Sequence, residues 1–290
     1  MSGRSPSLYA DHSRQHRENR FVYPVLSRRS QGISVGINLN PDKVCNFDCI
    51  YCQVNRQSDA ETLFVDTGRL RTELEGMLQY VASEAIFRDE PFANVAAPLR
   101  RINDIAFSGD GEPTTYRNFA DIVRQVADCK RAYALDEVKL VLITNASMFH
   151  RPAIRQALEL FDQNNGEIWA KLEAGTDEYY QLIERTKIPF RRVLDNITAA
   201  ARIRPLVIQS LFMRVEGNPP SADEITAFCG RLNAIGAAGG RIKLVQVYTV
   251  ARRPAEDFVA PLRDDEVDQI VTEVVNRTGL IAEAYYGGTA

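Results

Sequence analysis

Short apolar segments alternate along this chain with amphipathic segments whose apolar residues recur every three or four positions. Continuous apolar runs bounded by polar turns are typical of parallel strands that are covered on both faces. Six such strands are predicted, over Ile33–Leu39, Ile102–Phe107, Val138–Ile143, Glu167–Glu173, Leu206–Met213 and Arg241–Thr249. Helices are predicted near residues 66–85, 119–126, 152–161, 191–203, 221–235 and 264–278. This succession of β–α units favours a parallel sheet in one barrel-like α/β domain.

Local signals mark the ends of three of these helices. Asp66 stands directly before the first helix, where its carboxylate can cap the exposed backbone N–H groups. Ser221 and Glu224 have the spacing of a capping box. Gly279 follows the last helix and favours its termination there.

Composition narrows the class of protein. Hydrophobic residues make up 45% and charged residues 25% of the 290-residue chain, as in an ordinary soluble domain. No apolar run approaches the roughly 18 residues needed to span a membrane. With no signal peptide at its start, the chain is expected to be cytoplasmic and to make no membrane contact. The net charge of −3 provides no general attraction to nucleic acid.

The first 33 residues differ from the rest. They hold six arginines against only Asp11 and Glu18, and they show little hydrophobic periodicity. One interpretation is a solvated arm that wraps around the domain. The other is an arm that contacts the substrate or RNA through its positive charge.

Three cysteines on one short loop carry the most specific chemistry. Cys45, Cys49 and Cys52 have the spacing C-x₃-C-x₂-C and come directly after the first predicted strand. Thiolates are soft ligands that select iron–sulfur clusters and zinc. An electron-transfer 4Fe–4S cluster usually takes four cysteines, so three would leave one iron open to a substrate or cofactor.

Other uses of the cysteines are less favoured. A structural zinc ion usually takes four ligands, often from two C-x₂-C pairs, and no histidine has a matching spacing here. Disulfides are not expected in a cytosolic chain. Cys129 and Cys229 lie on apolar helix faces, where free cysteine packs as a small hydrophobic residue.

The cysteine loop resembles the signature of the radical S-adenosylmethionine (SAM) superfamily, C-x₃-C-x-aromatic-C, with Tyr51 at the aromatic position. Over residues 33–250 the chain looks most similar to the branch of wyosine-type tRNA base synthases, which carries a comparable Ser27-Arg28-Arg29 stretch. The resemblance implies a partial (β/α)₆ TIM-like barrel of parallel strands. It divides the chain into a basic N-terminal arm (1–32), the barrel core (33–250) and a helical C-terminal extension (251–290) that packs on the core.

Polar residues follow the predicted strands, at the end where parallel α/β barrels place their active sites. After the second strand, Gly109, Asp110, Gly111 and Glu112 resemble the family's Gly-Gly-Glu motif, which holds the amino group of SAM. Asp110 stands where the family usually has glycine. Glycine at such a turn also permits close approach of the backbone to a ligand, although a tight strand-to-helix turn is the simpler alternative.

Further strand-end residues take roles from the same resemblance. Lys171 and Glu173, on either side of Leu172, are expected to face the barrel and to contact the SAM carboxylate or ribose, unless they form a purely structural ion pair. Asn145 is expected near SAM or the substrate. Gln209 and Ser210 occupy positions of the family's adenine and ribose contacts.

Together these features predict an enzyme with one 4Fe–4S cluster that cleaves SAM to a 5′-deoxyadenosyl radical, with flavodoxin or ferredoxin as electron donor. Wyosine-type synthases carry a second cluster on additional cysteines, but the 44 residues before Cys45 contain none. Arg252 and Arg253, with Arg214 nearby, favour an anionic substrate, with a nucleotide or RNA base slightly preferred. A small-molecule or peptide-modifying enzyme and a non-catalytic iron–sulfur carrier or sensor remain the alternatives.

Overall fold

The computed structural model describes residues 16–27, 29, 31–54, 65–252, 254 and 256–287. Its strands are β1 (Val22–Ser27), β2 (Gly32–Ile37), β3 (Ile102–Phe107), β4 (Lys139–Thr144), β5 (Gly166–Lys171), β6 (Leu206–Leu211), β7 (Met213–Val215), β8 (Ile242–Tyr248), β9 (Val259–Pro261) and β10 (Ala282–Tyr285). Its α-helices are α1 (Thr67–Ala82), α2 (Phe119–Ala132), α3 (Pro152–Asp162), α4 (Asp177–Glu184), α5 (Phe190–Ile203), α6 (Ala222–Ala237) and α7 (Asp264–Thr278).

The main sheet has the strand order β1-β2-β3-β4-β5-β6-β8-β10. Strands β2 to β10 of this order run parallel, and β1 pairs antiparallel with β2. The sheet curls into a half-barrel with its helices packed outside, which confirms the predicted partial barrel. Strands β7 and β9 form a separate antiparallel pair.

Alternation of side chains along the strands divides the core in two. The larger part lies between the sheet and the helices, where Phe107 of β3 packs edge-on against Phe119 and Phe161, with ring centroids 5.4 and 5.7 Å away. A small second cluster of Ala106, Val141, Trp169 and Val207 lies on the concave face. Other side chains of that face are polar, so the interior of the half-barrel can hold a ligand.

Two strands of the main sheet, the short pair β7 and β9, and one helix are missing from the predicted set. Strand β1 contains Pro24, which a sheet tolerates only at an edge, and it lies in the arginine-rich segment predicted to be an irregular arm. Strand β10 is four half-buried residues long, and α4 has eight residues, too few to show a helical period. The division into arm, core and extension stays a prediction, although strands from both outer segments join the central sheet.

A buried carboxylate anchors the described part of the arm to the domain. Glu73 of α1 accepts hydrogen bonds from the backbone N–H groups of Arg20, Phe21 and Val22 at 2.9, 2.7 and 3.2 Å. These donors directly precede or begin β1, so Glu73 satisfies polar groups that the strand would otherwise leave unpaired at the sheet edge.

Two of the predicted helix ends are confirmed and one is wrong in part. Asp66 accepts from the Arg69 N–H at 3.0 Å, and Gly279 ends α7 with a φ of 68°. Ser221 caps α6 by accepting from Glu224 N–H at 3.1 Å. The side chain of Glu224 does not complete a capping box, because its carboxylate accepts from Thr176 in the loop before α4 instead. Among the described residues, no helix is long and apolar enough to cross a membrane.

Candidate active site

The three cysteines of the loop after β2 open onto one cavity. Cys45, Cys49 and Cys52 are partly buried and line a cavity of about 310 Å³ inside the half-barrel. Helix α4 holds the loop, because the Ile183 carbonyl accepts from Ile50 N–H at 2.9 Å and the Glu184 carbonyl accepts from Asp48 N–H at 3.2 Å. Two backbone hydrogen bonds to α4 therefore hold the part of the loop that carries Cys49.

Glu184 is a site residue that the sequence analysis missed. Its side chain lies in the same cavity, and its Oε2 accepts from the Cys49 thiol at 2.8 Å. Burial, and then the charge of Glu173, raise the pKa of Glu184 well above its usual value. Burial, followed by the charge of Glu184, likewise raises the pKa of the Cys49 thiol. The only sequence signal for Glu184 is a short polar helix between the fourth and fifth predicted strands.

The arrangement of cysteines suits a cluster better than a single ion. All five cysteines of the chain are free thiols, so none is used in a disulfide. Within the described ranges, no three His, Cys, Asp or Glu side chains converge closely enough to hold one metal ion. A structural zinc ion usually takes four ligands, whereas three cysteines on one loop are the number that a 4Fe–4S cluster with one open iron would use. Loading it would release the thiol protons.

The glycines after β3 lie directly against the start of the cysteine loop. A Cβ atom on Gly111 would come within 2.1 Å of the Val44 carbonyl oxygen, and one on Gly109 within 2.2 Å of the Asn38 side chain. Only glycine permits this approach of the two backbones. Asp110, which replaces the family's usual glycine, is tied down by Asn38, whose Nδ2 donates to its Oδ2 at 2.6 Å.

Glu112 is almost completely buried and uses both carboxylate oxygens. Its Oε1 accepts from Thr114 N–H at 3.1 Å and from the Thr144 hydroxyl at 2.7 Å, and its Oε2 accepts from Asn145 N–H at 2.7 Å. Burial raises its pKa, and these hydrogen bonds oppose the shift. The carboxylate thus joins the ends of β3 and β4 at the edge of the cavity, so it shapes the site as well as being able to bind a ligand.

Asn145 connects the end of β4 to the cysteine loop. Its Nδ2 donates to the Asn46 side chain at 2.9 Å, and its Oδ1 accepts from the Ser147 hydroxyl at 2.6 Å. Ser147 in turn accepts from Asn46 Nδ2 at 2.8 Å. Asn145 also lines the cavity, so this closed ring of hydrogen bonds positions the loop next to Cys45.

Lys171 is the last residue of β5, and Glu173 follows two residues later with its side chain beside it. Lys171 Nζ lies 3.8 Å from Glu173 Oε1 and 5.1 Å from the centre of the Tyr51 ring. Glu173 is fully buried behind the cavity wall and accepts from the hydroxyls of Tyr51 and Tyr248. Burial lowers the pKa of Lys171, but the charges of Glu173 and its neighbours outweigh this and raise it overall. Lys171 is therefore a permanent cation in the cavity.

Of the remaining residues that were predicted to contact SAM or the substrate, some line the cavity and others do not. Gln209 lines the cavity and donates to Gln246 at 2.9 Å. Ser210 does not reach it: side chains alternate along β6, and its hydroxyl donates to the Leu172 carbonyl at 2.7 Å. Arg252 lines the cavity, whereas Arg253 lies outside the described residues.

Arg214, expected to favour an anionic substrate together with Arg252, is not part of the cavity wall. Its guanidinium forms an ion pair with Glu266 of α7 and donates to the Gly217 carbonyl at 2.6 Å. Two acids that follow Arg252 in the sequence form ion pairs with other arginines, since Glu256 pairs with Arg185 and Asp265 with Arg263.

Two relatives align with most of this chain. A GTPase Obg of Brachyspira hyodysenteriae is 24% identical over 250 residues, which cover 85% of this chain but only 32% of that protein. A UPF0026 protein of Helicobacter pylori strain J99 is 24% identical over 249 residues, which cover 84% of this chain and 70% of the relative. The chain therefore spans only a minor part of the first relative.

Solved structures with the same fold include two proteins of low sequence identity. SuiB of Streptococcus suis, bound to S-adenosylmethionine, superposes with a TM-score of 0.57 at 12% identity, covering 90% of this chain and 52% of SuiB. TYW1 with a lysine–pyruvate adduct bound superposes with a TM-score of 0.55 at 13% identity, covering 84% of this chain and 73% of TYW1. At these identities the likeness is one of fold.

The family assignment comes from the sequence itself. The model of the radical SAM superfamily matches residues 39–218, more than half of the chain, and its range includes the cysteine loop, Gly109–Glu112 and strands β3 to β6. Membership implies S-adenosylmethionine and an iron–sulfur cluster as cofactors. The family predicted from the cysteine spacing is thus confirmed, and the chain belongs to the radical SAM superfamily, a class of enzymes.

Proposed function

We propose that this chain cleaves SAM reductively at a single 4Fe–4S cluster held by Cys45, Cys49 and Cys52, and that its substrate is anionic. One observation carries the proposal: the three cysteine side chains and Gly109–Glu112 line the same cavity inside the half-barrel. Neither feature alone requires SAM, because an electron carrier also needs cysteines and a tight turn also needs glycine. Their presence around one cavity supports a cluster that binds SAM beside it.

The chain's own residues would bind and orient the cofactors. When bound, the cluster and SAM supply an electron and a 5′-deoxyadenosyl radical that takes a hydrogen atom from the substrate. The backbone at Gly111, with Asp110 and Glu112, is suited to the amino group of SAM, since it offers acceptors beside the cysteine loop. Lys171 remains protonated and is suited to the SAM carboxylate or ribose. The walls of the half-barrel would limit the access of water to the bound cofactors.

The charge of the cavity wall bears on the substrate class. Arg252 and Lys171 are cations of this wall, and Arg253 follows directly in the sequence. Guanidinium groups bind carboxylates and phosphates through paired hydrogen bonds. We place a nucleotide or RNA base slightly ahead of a small acid or a peptide. A low-potential donor such as flavodoxin or ferredoxin would supply the electron.

The reaction class is tested with anaerobically reconstituted protein that has been reduced with dithionite. We expect slow formation of 5′-deoxyadenosine and methionine from SAM even without a substrate, because the cofactor chemistry needs only the cluster and bound SAM. Product formation is followed by liquid chromatography, with the oxidised protein as control. A protein that holds the cluster but neither binds nor cleaves SAM would instead be an iron–sulfur carrier or sensor.

The substrate class is tested through the salt dependence of binding. Affinity for tRNA is expected to fall steeply with salt, with a slope set by the number of phosphates contacted, whereas a small acid should show a mild effect. Arg252→Ala should weaken binding in either case. If tRNA binds no better than a neutral polymer at low salt, RNA is not the substrate. Unchanged turnover in Arg252→Ala and Arg253→Ala would show that these arginines do not bind the anionic substrate.

A further inference from the structure

Arg29 reaches the interior of the half-barrel from the opposite end to the cysteine loop. It lies in the turn between β1 and β2, before β2 begins, whereas the cysteines follow the end of β2. Its guanidinium carbon lies 5.2 Å from the ring centre of Tyr248 and 5.6 Å from that of Trp169. Arg29 lines the same cavity as the cysteines, so it lies in the site and not in a solvated arm.

Arg29 forms no ion pair with a carboxylate within the described part of the chain. The acids of the cavity wall have other partners: Asp104 accepts from Ser34, Asp110 from Asn38, Glu112 from Thr144 and Glu184 from Cys49. The two aromatic rings hold the cation in place through its attraction to their faces. They do not cancel its charge, so the position favours an anion.

Arg29 contacts aromatic rings at two levels of the half-barrel. Trp169 precedes Lys171 by two residues on β5, which places it roughly 6–7 Å deeper along the strand. Lys171 lies beside Tyr51 of the cysteine loop, at the level of the predicted cofactors. Tyr248, the nearer of the two rings to the Arg29 guanidinium, donates to Glu173 at that level, so Arg29 lies between Trp169 and the level of the predicted cofactors.

We propose that Arg29 binds a carboxylate or phosphate group of the substrate inside the half-barrel. This inference rests on the proposed function and deepens it, because it requires the anionic group to belong to the part of the substrate that enters the interior. Arg29 thereby acts as a substrate-binding residue contributed by the segment before the barrel. Trp169 and Tyr248 position it.

Trp169 is the only tryptophan of the chain, so its fluorescence reports directly on this position. The reconstituted protein is titrated at constant ionic strength with inorganic phosphate, acetate and adenosine monophosphate, with adenosine as the neutral control. We expect saturable changes in Trp169 emission with the anions and a much weaker one with adenosine. Comparing phosphate with acetate distinguishes the two kinds of anion.

The variants isolate the guanidinium. Arg29→Gln should weaken anion binding roughly 10- to 100-fold, because a hydrogen-bonded charge is lost, and Arg29→Lys should lose less. Arg191→Gln is the matched control, since Arg191 is 90% exposed and faces Asp195 on the surface of α5. It should bind the anions like the wild type.

Several results would overturn the inference. These are a wild-type Trp169 signal that ignores all the anions, equal responses to adenosine monophosphate and adenosine, or unchanged affinity in Arg29→Gln. If a variant does not fold, the difference between the responses of the wild type to the anions and to adenosine still tests the inference. SAM cleavage by the wild type is measured in parallel. Cleavage without an anion response would contradict this inference but not the proposed function. An anion response without cleavage would contradict the proposed function but not the binding of an anion at Arg29.

Discussion

Alanine at Cys45, Cys49 or Cys52 is expected to abolish cluster assembly, whereas the wild type should take up about four irons and four sulfides after anaerobic reconstitution. Each cysteine is one of three proposed ligands that line the cavity, and the described part of the loop contains no fourth cysteine that could replace it. Two remaining thiolates would leave half of the irons without a protein ligand. Iron and sulfide analysis, with the visible absorption of the cluster, measures the loss.

Cys129→Ala and Cys229→Ala are the matched controls for this experiment. Both cysteines are buried on helices, in α2 and α6, and neither lines the cavity. Their loss should leave the iron content unchanged and cost only the packing of a small side chain. About eight irons per chain, or bound zinc in place of iron, would contradict the single cluster.

Replacement of Glu112 is expected to weaken SAM binding about ten-fold or more and to destabilise the fold by roughly 2–3 kcal/mol, with iron content retained. Both carboxylate oxygens accept from backbone N–H groups, those of Thr114 and Asn145. Glu112→Gln must turn its NH₂ group toward one of these donors, so even this close substitution leaves a buried N–H unsatisfied. Glu112→Ala and the double variant Asp110→Ala/Glu112→Ala should lose more.

The measurements are SAM affinity by equilibrium dialysis, stability by denaturant unfolding and iron content on the same samples. Glu178→Gln, an exposed acid in the first turn of α4, serves as control for the loss of one charge. If SAM affinity matched the wild type in both Glu112→Ala and the double variant, the assignment of this segment to the amino group of SAM would be wrong. A loss of stability with unchanged SAM affinity would show that the role of Glu112 is purely structural.

Glu184 and Arg29 show why part of the site escaped sequence reasoning. Glu184 belongs to no periodic pattern or recognised motif, and the Ser27-Arg28-Arg29 stretch by itself does not indicate where the Arg29 side chain lies. Glu184 becomes important because α4 turns back onto the cysteine loop and places its carboxylate against Cys49. Arg29 becomes important because β1 joins the sheet edge and leads the chain beneath the barrel. Both depend on contacts between segments far apart in sequence.

The sequence by itself determined the six central strands, most of the helices, the cysteine loop and the glycine segment beside it. Hydrophobic periodicity and the spacing of the cysteines are local properties of the sequence, so they can be recognised without knowing how the chain packs. Only the tertiary structure decided that Gln209 faces the cavity while Ser210 does not, that Arg214 is neutralised by Glu266, and that Glu112 joins two strands. The physical reason is that the direction of a side chain and the partner of a charge are set by strand register and by packing across the barrel, where residues distant in sequence meet.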